Sequence, residues 1–251
     1  MSGHSKWSSI KHKKAAVDAK RGKIFSRLAK EIAVAAKIGG GDPGANARLR
    51  TVLAQARSVN MPATNVERAI KKGTGELPGV SYEEASYECY GPGGVAILMT
   101  ALTDNKNRTV AELRHIIDKH NGRMAGAGSV AWLFEKKGLI AVSRSAMSED
   151  DLLEAALEAG AEDISTDDED SYEIYTAPKE FAAVKEQLEA KEVPIETAEL
   201  TMIPKSTVKL SGKEAKQTLT LVELLEDHDD VQEVHANFDI PNEILAEIAG
   251  E

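Results

Sequence analysis

The chain has 251 residues, 42% hydrophobic, 29% charged and 4% aromatic, with a formal net charge of -10 and a single cysteine, Cys89. This composition suits two or three globular units with mainly aliphatic cores and argues against wholesale disorder. One cysteine excludes an intramolecular disulfide or a multi-cysteine zinc site, and no apolar run approaches the roughly eighteen residues that cross a bilayer.

The first unit reads as three helices separated by Gly39-Gly40-Gly41-Asp42-Pro43-Gly44 and Asn60-Met61-Pro62, with a stop at Gly73. Lys20 to Ile38 carries Ile24, Leu28, Ile32 and Ala36 at four-residue recurrence, and Ala45 to Val59 repeats this with Leu49, Val52, Leu53 and Ala56, the spacing of one buried helical face. The third helix has two plausible starts: Pro62 at its first position, or Thr64 as a cap with Glu67 three residues on. Gly75 to Ser81 reads as a linker.

From Tyr82 onward β-branched residues and alternation predict strands at Ser86–Tyr90 and Val95–Leu102, a helix over Arg108–His120, and a strand at Val130–Phe134. The next stretch predicts strand (Leu139–Ser143), helix (Ser148–Ala159, stopped by Gly160), short strands near Asp163–Thr166 and Tyr172–Thr176, helix (Pro178–Ala190) and strand (Glu196–Ile203). That order, β-α-β-β-α-β, is the ferredoxin-like one. A helix capped at Ser211-to-Glu214 spacing and a strand at Val231–Phe238 are left over. Returned to the earlier β-β-α-β segment, they complete a second unit. The expected fold is therefore α+β in three domains: a helical bundle over 1–75, then two α/β (ferredoxin-like) domains, 82–136 plus 204–251 and, inserted within it, 137–203.

Charge is segregated along this order. Residues 1–75 hold 16 lysines and arginines against 4 acids, the remainder 15 against 37, and the insert 5 against 18. Such asymmetry concerns partners more than fold. On a helical wheel Lys20, Lys23, Arg27, Lys30 and Lys37 fall within an arc of roughly 100 degrees, opposite the apolar face. Lys6, Lys11, Lys13 and Lys14, interleaved with His4, Trp7 and His12, form a basic arm too polar for a core of its own. Arg21, Arg48, Arg50, Arg57, Arg68, Lys71 and Lys72 extend the positive surface, and Lys106 and Arg108 begin a second cluster at a helix N-terminus, where backbone N–H groups also favour anions. Capping by Asp104, Asn107 or Thr109 accounts equally for that second cluster. A basic face of this extent suits phosphate backbones, whose neutralisation releases counterions, although a solvated face that keeps a small domain soluble has the same composition. The acidic insert either faces away from a nucleic acid, contacts a basic protein, or is simply a soluble surface.

Signals for catalysis are weak. Gly91-Pro92-Gly93-Gly94 lacks the Lys-Ser/Thr of a P-loop and suits a strand-connecting turn. His115 and His120 are five apart, not the four that stacks metal ligands on one helical face. Asp227-His228-Asp229-Asp230 reads as a solvated loop, and Cys89 as a half-buried strand residue with no paired base. Neither an enzyme nor a cofactor, metal, membrane partner or small-molecule substrate is expected.

Met1-Ser2-Gly3-His4-Ser5-Lys6-Trp7, Asp18-Ala19-Lys20-Arg21-Gly22-Lys23-Ile24-Phe25, Glu67-Arg68-Ala69-Ile70-Lys71-Lys72-Gly73, Tyr90-Gly91-Pro92-Gly93-Gly94, Thr103-Asp104-Asn105-Lys106-Asn107-Arg108-Thr109 and Gly128-Ser129-Val130-Ala131-Trp132 closely resemble the YebC/PmpR family over the whole length. Departures are small: Cys89 stands where the family often has glycine, and Ala63-Thr64 replaces a more polar pair. The resemblance implies a helical N-terminal domain, two α/β domains and a DNA-binding transcriptional regulator; the lone cysteine points to a reducing, cytoplasmic setting. Related members, including a mitochondrial translational activator, are associated with the ribosome. The expected partner is thus DNA and/or ribosomal RNA, with the ribosome or the transcription machinery as the larger assembly.

Overall fold

The computed structural model describes residues 17–166, 171–241 and 243–245. It has an α+β architecture: an N-terminal helical region followed by two β-sheet domains.

The helical region comprises α1 (Val17–Gly39), α2 (Ala47–Ser58) and α3 (Ala63–Gly73). Its core is Leu28, Ile32, Ala35, Leu49, Val52, Leu53, Ala56, Met61 and Ala69; of the positions the periodicity predicts, Leu28, Ile32, Ala36, Leu49, Val52, Leu53 and Ala56 are buried, whereas Ile24, in the first turns of α1, is exposed. Asn46 joins the first two helices. Its Oδ1 accepts from Leu49 N at 3.0 Å as the cap of α2, while Nδ2 donates to Ala35 O and Gly40 O, each at 2.8 Å. The third helix starts at Ala63 behind Pro62, with no side-chain cap, so the Thr64–Glu67 alternative is not used. Gly73 ends α3 in close contact with α1. A Cβ there would lie 2.3 Å from Ala33 O, so only glycine lets the last turn of α3, with Lys71 and Lys72, dock.

The middle sheet has the order β3-β1-β2-β9, built from β1 (Glu83–Tyr90), β2 (Ala96–Thr103), β3 (Arg123–Ala125) and, near the C-terminus, β9 (Val231–Ala236). β1 and β2 form an antiparallel hairpin around a short 3₁₀ turn, Pro92–Gly94. β9 pairs with β2, Ile97 opposite Ala236. Two helices, α4 (Lys106–Lys119) and α7 (Gly212–Glu226), cover one face. They bury Leu113, Ile117, Leu219, Val222 and Leu225 against Cys89, Ile97, Met99 and Val234. Cys89 is fully buried, not half-buried as expected, and burial pushes its thiol pKa up to about 12, which leaves it inert at neutral pH.

The second sheet, order β5-β6-β4-β7, consists of β4 (Phe134–Ser143), β5 (Asp163–Ser165), β6 (Ser171–Thr176) and β7 (Ile195–Pro204), with α5 (Glu149–Ala159) and α6 (Phe181–Ala190) on one side. The two helices pack Leu152, Ala156, Val184 and Leu188 onto Ile140, Val142 and Ile174. Ser148 caps α5 and Gly160, at φ 86°, ends it. A small parallel pair, β8 (Val208–Lys209) with β10 (Phe238–Asp239), completes the middle region.

Three local expectations are corrected. Val130–Phe134 is not a strand: Ala131–Leu133 forms a 3₁₀ turn, and β4 begins at Phe134. The cap of α4 is Asn105, whose side chain accepts from Arg108 N at 3.1 Å, instead of Asp104, Asn107 or Thr109. Helix α6 starts at Phe181, after a turn that includes Pro178.

Candidate nucleic-acid interface

Positions 23, 27 and 30 recur at helical spacing, so α1 presents Lys23, Arg27 and Lys30 on one face. That face meets the turn between α7 and β9. Lys23 Nζ lies 3.1 Å from Asp227 Oδ1, and Lys30 Nζ lies 2.7 Å from Asp230 Oδ1 and 3.0 Å from Asp229 O. Arg27 donates to the carbonyl oxygen of Glu226. Its Nε is buried with no acceptor. Burial lowers the Arg27 pKa, against the pull of Glu226, Asp227 and Asp229.

Asp230 is the hub of this contact. It is 4% exposed and accepts from Lys30 on one carboxylate oxygen and from Arg108 (2.7 Å) and Thr109 (2.8 Å) on the other. Burial pushes its carboxyl upward, but the hydrogen bonds from Lys30, Arg108 and Thr109 outweigh that and hold it well below the usual carboxylate range. Hydrogen bonds to Asp230 and Asp104 raise Arg108 correspondingly. The Asp227–Asp230 run is the solvated loop expected only in part: Asp227 and Asp229 are exposed, but Asp230 is buried.

Glu112, His228 and Asp230 come close enough to suggest a metal site. Both Asp230 oxygens are already committed to cations, and Asp230 N donates to His228 Nδ1 at 3.2 Å, which leaves Nε2 to donate to Glu112 at 3.0 Å. The donor set is satisfied as a hydrogen-bond network.

Other candidates are also paired: Arg48 with Glu84, Lys106 with Glu83 at 2.8 Å, and Arg108 with Asp104 at 2.8 Å. Lys37 Nζ donates to Ser81 Oγ at 2.7 Å. In contrast, Arg21, Arg57, Arg68, Lys71 and Lys72 are exposed and have no ion pair among the described residues. Lys6, Lys11, Lys13 and Lys14 lie outside the described residues, as does the side chain of Lys20.

A cleft of about 1080 Å³ runs between the helical region and the middle domain. Lys23, Arg27, Lys30, Arg68 and Lys72 line it, with Asn65 and Tyr82, and Asp229 is the acidic residue of its wall. Lys30 stands 5.4 Å from the centroid of the Tyr82 ring. The geometry thus brings together cations from α1 and α3 that are about 40 positions apart in sequence. It keeps Arg57 outside that cleft lining and gives Arg48 and Lys106 to the Glu83–Glu84 start of β1. Sequence reading missed Asp230. The available signal was the opposite sign of residues 226–230 and the α1 face.

Two family models match the chain: the TACO1/YebC protein N-terminal domain over residues 5–76, and the TACO1/YebC second and third domain over residues 82–238. A probable transcriptional regulatory protein of Geobacter sulfurreducens is 58% identical over 99% of this chain and 100% of its own length. One from Dictyoglomus turgidum is 55% identical, again over 99% and 100%. The crystal structure of a conserved hypothetical protein from Aquifex aeolicus has a TM-score of 0.80 and 53% identity, covering 94% of this chain and 97% of that one.

Proposed function

The chain belongs to the TACO1/YebC family, and from that membership we propose that it is a non-enzymatic, cytoplasmic, nucleic-acid-binding regulator of gene expression, acting as a DNA-binding transcriptional regulator. The observation that carries this reading is the set of cations left unpaired on the helical region. Arg21, Arg57, Arg68, Lys71 and Lys72 stay exposed, while 16 bases face only 4 acids in residues 1–75. The basic arm with Lys6, Lys11, Lys13 and Lys14, together with Lys20, would add to them. Contacts of this kind grip the phosphate backbone and position the protein without reading sequence.

We also infer the division into 1–75, 82–136 with 204–251, and an inserted 137–203. The pairing of β9 with β2 supports it, as does the strand order β7-β4-β6-β5, which suits a ferredoxin-like insert. The middle sheet opens with a hairpin, so the ferredoxin-like reading is kept for the insert alone. The insert's 18 acids against 5 bases would turn it away from phosphate.

The same cations would hold ribosomal RNA in a translation factor, because charge does not separate the two polyanions. Promoter footprinting set beside co-sedimentation with ribosomes in magnesium-containing buffer tests the choice. Footprints with the protein absent from the ribosomal pellet are expected; ribosome co-sedimentation without footprints would overturn the DNA assignment.

A further inference from the structure

Trp132 is the most conspicuous large apolar side chain left unabsorbed by the helical surface: it is 63% exposed. It is also firmly held. Glu88, only 5% exposed, places its carboxylate under the Gly128–Ala131 turn and accepts from Gly128 N at 2.6 Å, Val130 N at 2.5 Å and Ala131 N at 3.1 Å. Burial alone would raise that carboxyl, but these backbone donors keep it below its ordinary value, so it stays ionised. Val130 and Phe134 anchor the turn from beneath, in a small core with Ala96 and Leu98. The buried ion thus fixes a turn that leads directly into an exposed indole in the 3₁₀ segment Ala131–Leu133.

A second aromatic ring and a cation belong to the same feature. Trp132 Nε1 and Tyr90 OH both donate to Ser129 O, at 3.0 and 3.2 Å. Arg123, directly across from Tyr90 in the β1–β3 ladder, holds its guanidinium 5.9 Å from the centroid of the Tyr90 ring and is exposed. Lys205, also exposed, donates its backbone N–H to Leu133 O at 2.8 Å. Among these residues the one carboxylate, Glu88, is spent inside the turn. What faces outward is aromatic surface and positive charge.

We propose that Trp132, with Tyr90 and Arg123, forms a stacking site for an unpaired base of a single-stranded nucleic acid, with Arg123 at the adjoining phosphate. The proposal rests on the nucleic-acid reading above and adds to its phosphate contacts a separate site for an unpaired nucleotide. Bases have a π-face to offer only when they are out of the duplex stack, and aromatic platforms flanked by cations take them without regard to sequence. The preformed turn lowers the ordering cost of binding.

Trp7 is the only other tryptophan, so the full-length Trp7→Phe variant reports on Trp132 by fluorescence. Titration with single-stranded poly(U) at low salt is expected to quench the emission, and a duplex of equal length is not. Trp132→Ala should weaken poly(U) binding roughly tenfold, with most of the affinity returned in Trp132→Phe and the circular dichroism unchanged. Unmoved emission at saturation, with Trp132→Ala binding as the parent does, overturns the stacking site. If that happens while Arg68→Ala with Lys72→Ala weakens binding, the stacking site falls and the nucleic-acid reading stands. If the parent protein binds neither polymer, both fall.

Discussion

Lys30 and Asp230, 200 positions apart in the chain, form a 2.7 Å ion pair whose side chains are only 15% and 5% exposed. Among the described residues it is the best-shielded ion pair between the helical region and the middle domain. Its partners are not equivalent. Asp230 also accepts from Arg108 and Thr109, whereas among the described residues Asp230 is the one carboxylate that Lys30 reaches.

Removing the two partners should therefore cost different amounts. Asp230→Ala takes a carboxylate from both Lys30 and Arg108, leaving Lys30 only the Asp229 carbonyl while Arg108 keeps Asp104, and is expected to lose about 3 kcal/mol in urea unfolding, in the range for a broken buried pair. Lys30→Met leaves Asp230 with two donors and should lose about 1 kcal/mol. Equal losses would show that Asp230 is not the hub.

The depressed Asp230 carboxyl fixes the sign of a pH effect. A carboxyl lower in the folded than in the unfolded chain contributes fully above its unfolded value, about 3.9, and that contribution is lost as pH falls through the folded value. Urea midpoints are expected to hold between pH 7 and 5 and to decline below pH 4. Asp230→Asn should be less stable at neutral pH and show a shallower acid decline.

Charge variants on the helical region and on the α7–β9 turn that faces it should act in opposite directions. Arg68→Ala with Lys72→Ala removes two unpaired cations and is expected to flatten the salt dependence of binding by about two in log–log slope on duplex DNA. Asp227→Asn frees Lys23 from its 3.1 Å partner and should raise affinity at low salt several-fold. Fluorescence anisotropy with a labelled duplex across a salt series measures both.

Much of the fold could be read in the sequence, because helical periodicity and turn residues act locally. Leu28, Ile32, Leu49, Leu53 and Ala56 are buried as their spacing predicts. The expectations that needed correction depend on distant partners. The apolar run from Val130 to Phe134 reads as strand until Glu88, 42 positions before Val130, draws its amide into a turn. The candidate interface was legible only as a sign of charge. Nothing in Lys23, Arg27 or Lys30 as residues distinguishes a cation awaiting phosphate from one facing Glu226–Asp230. Arg68 and Lys72 look alike in sequence, yet they stay unpaired because α3 turns them toward a cleft with one acidic wall residue.

The pairing of Ile97 with Ala236 has a consequence for biosynthesis. A ribosome makes this chain from its cationic end, so the three-helix unit leaves the exit tunnel long before its acidic counterweight exists. The hairpin β1–β2 must wait for its last neighbouring strand, a delay characteristic of distant strand pairing. Until residues 226–236 are made, the nascent polypeptide shows its surroundings a face of α1 that the finished protein covers.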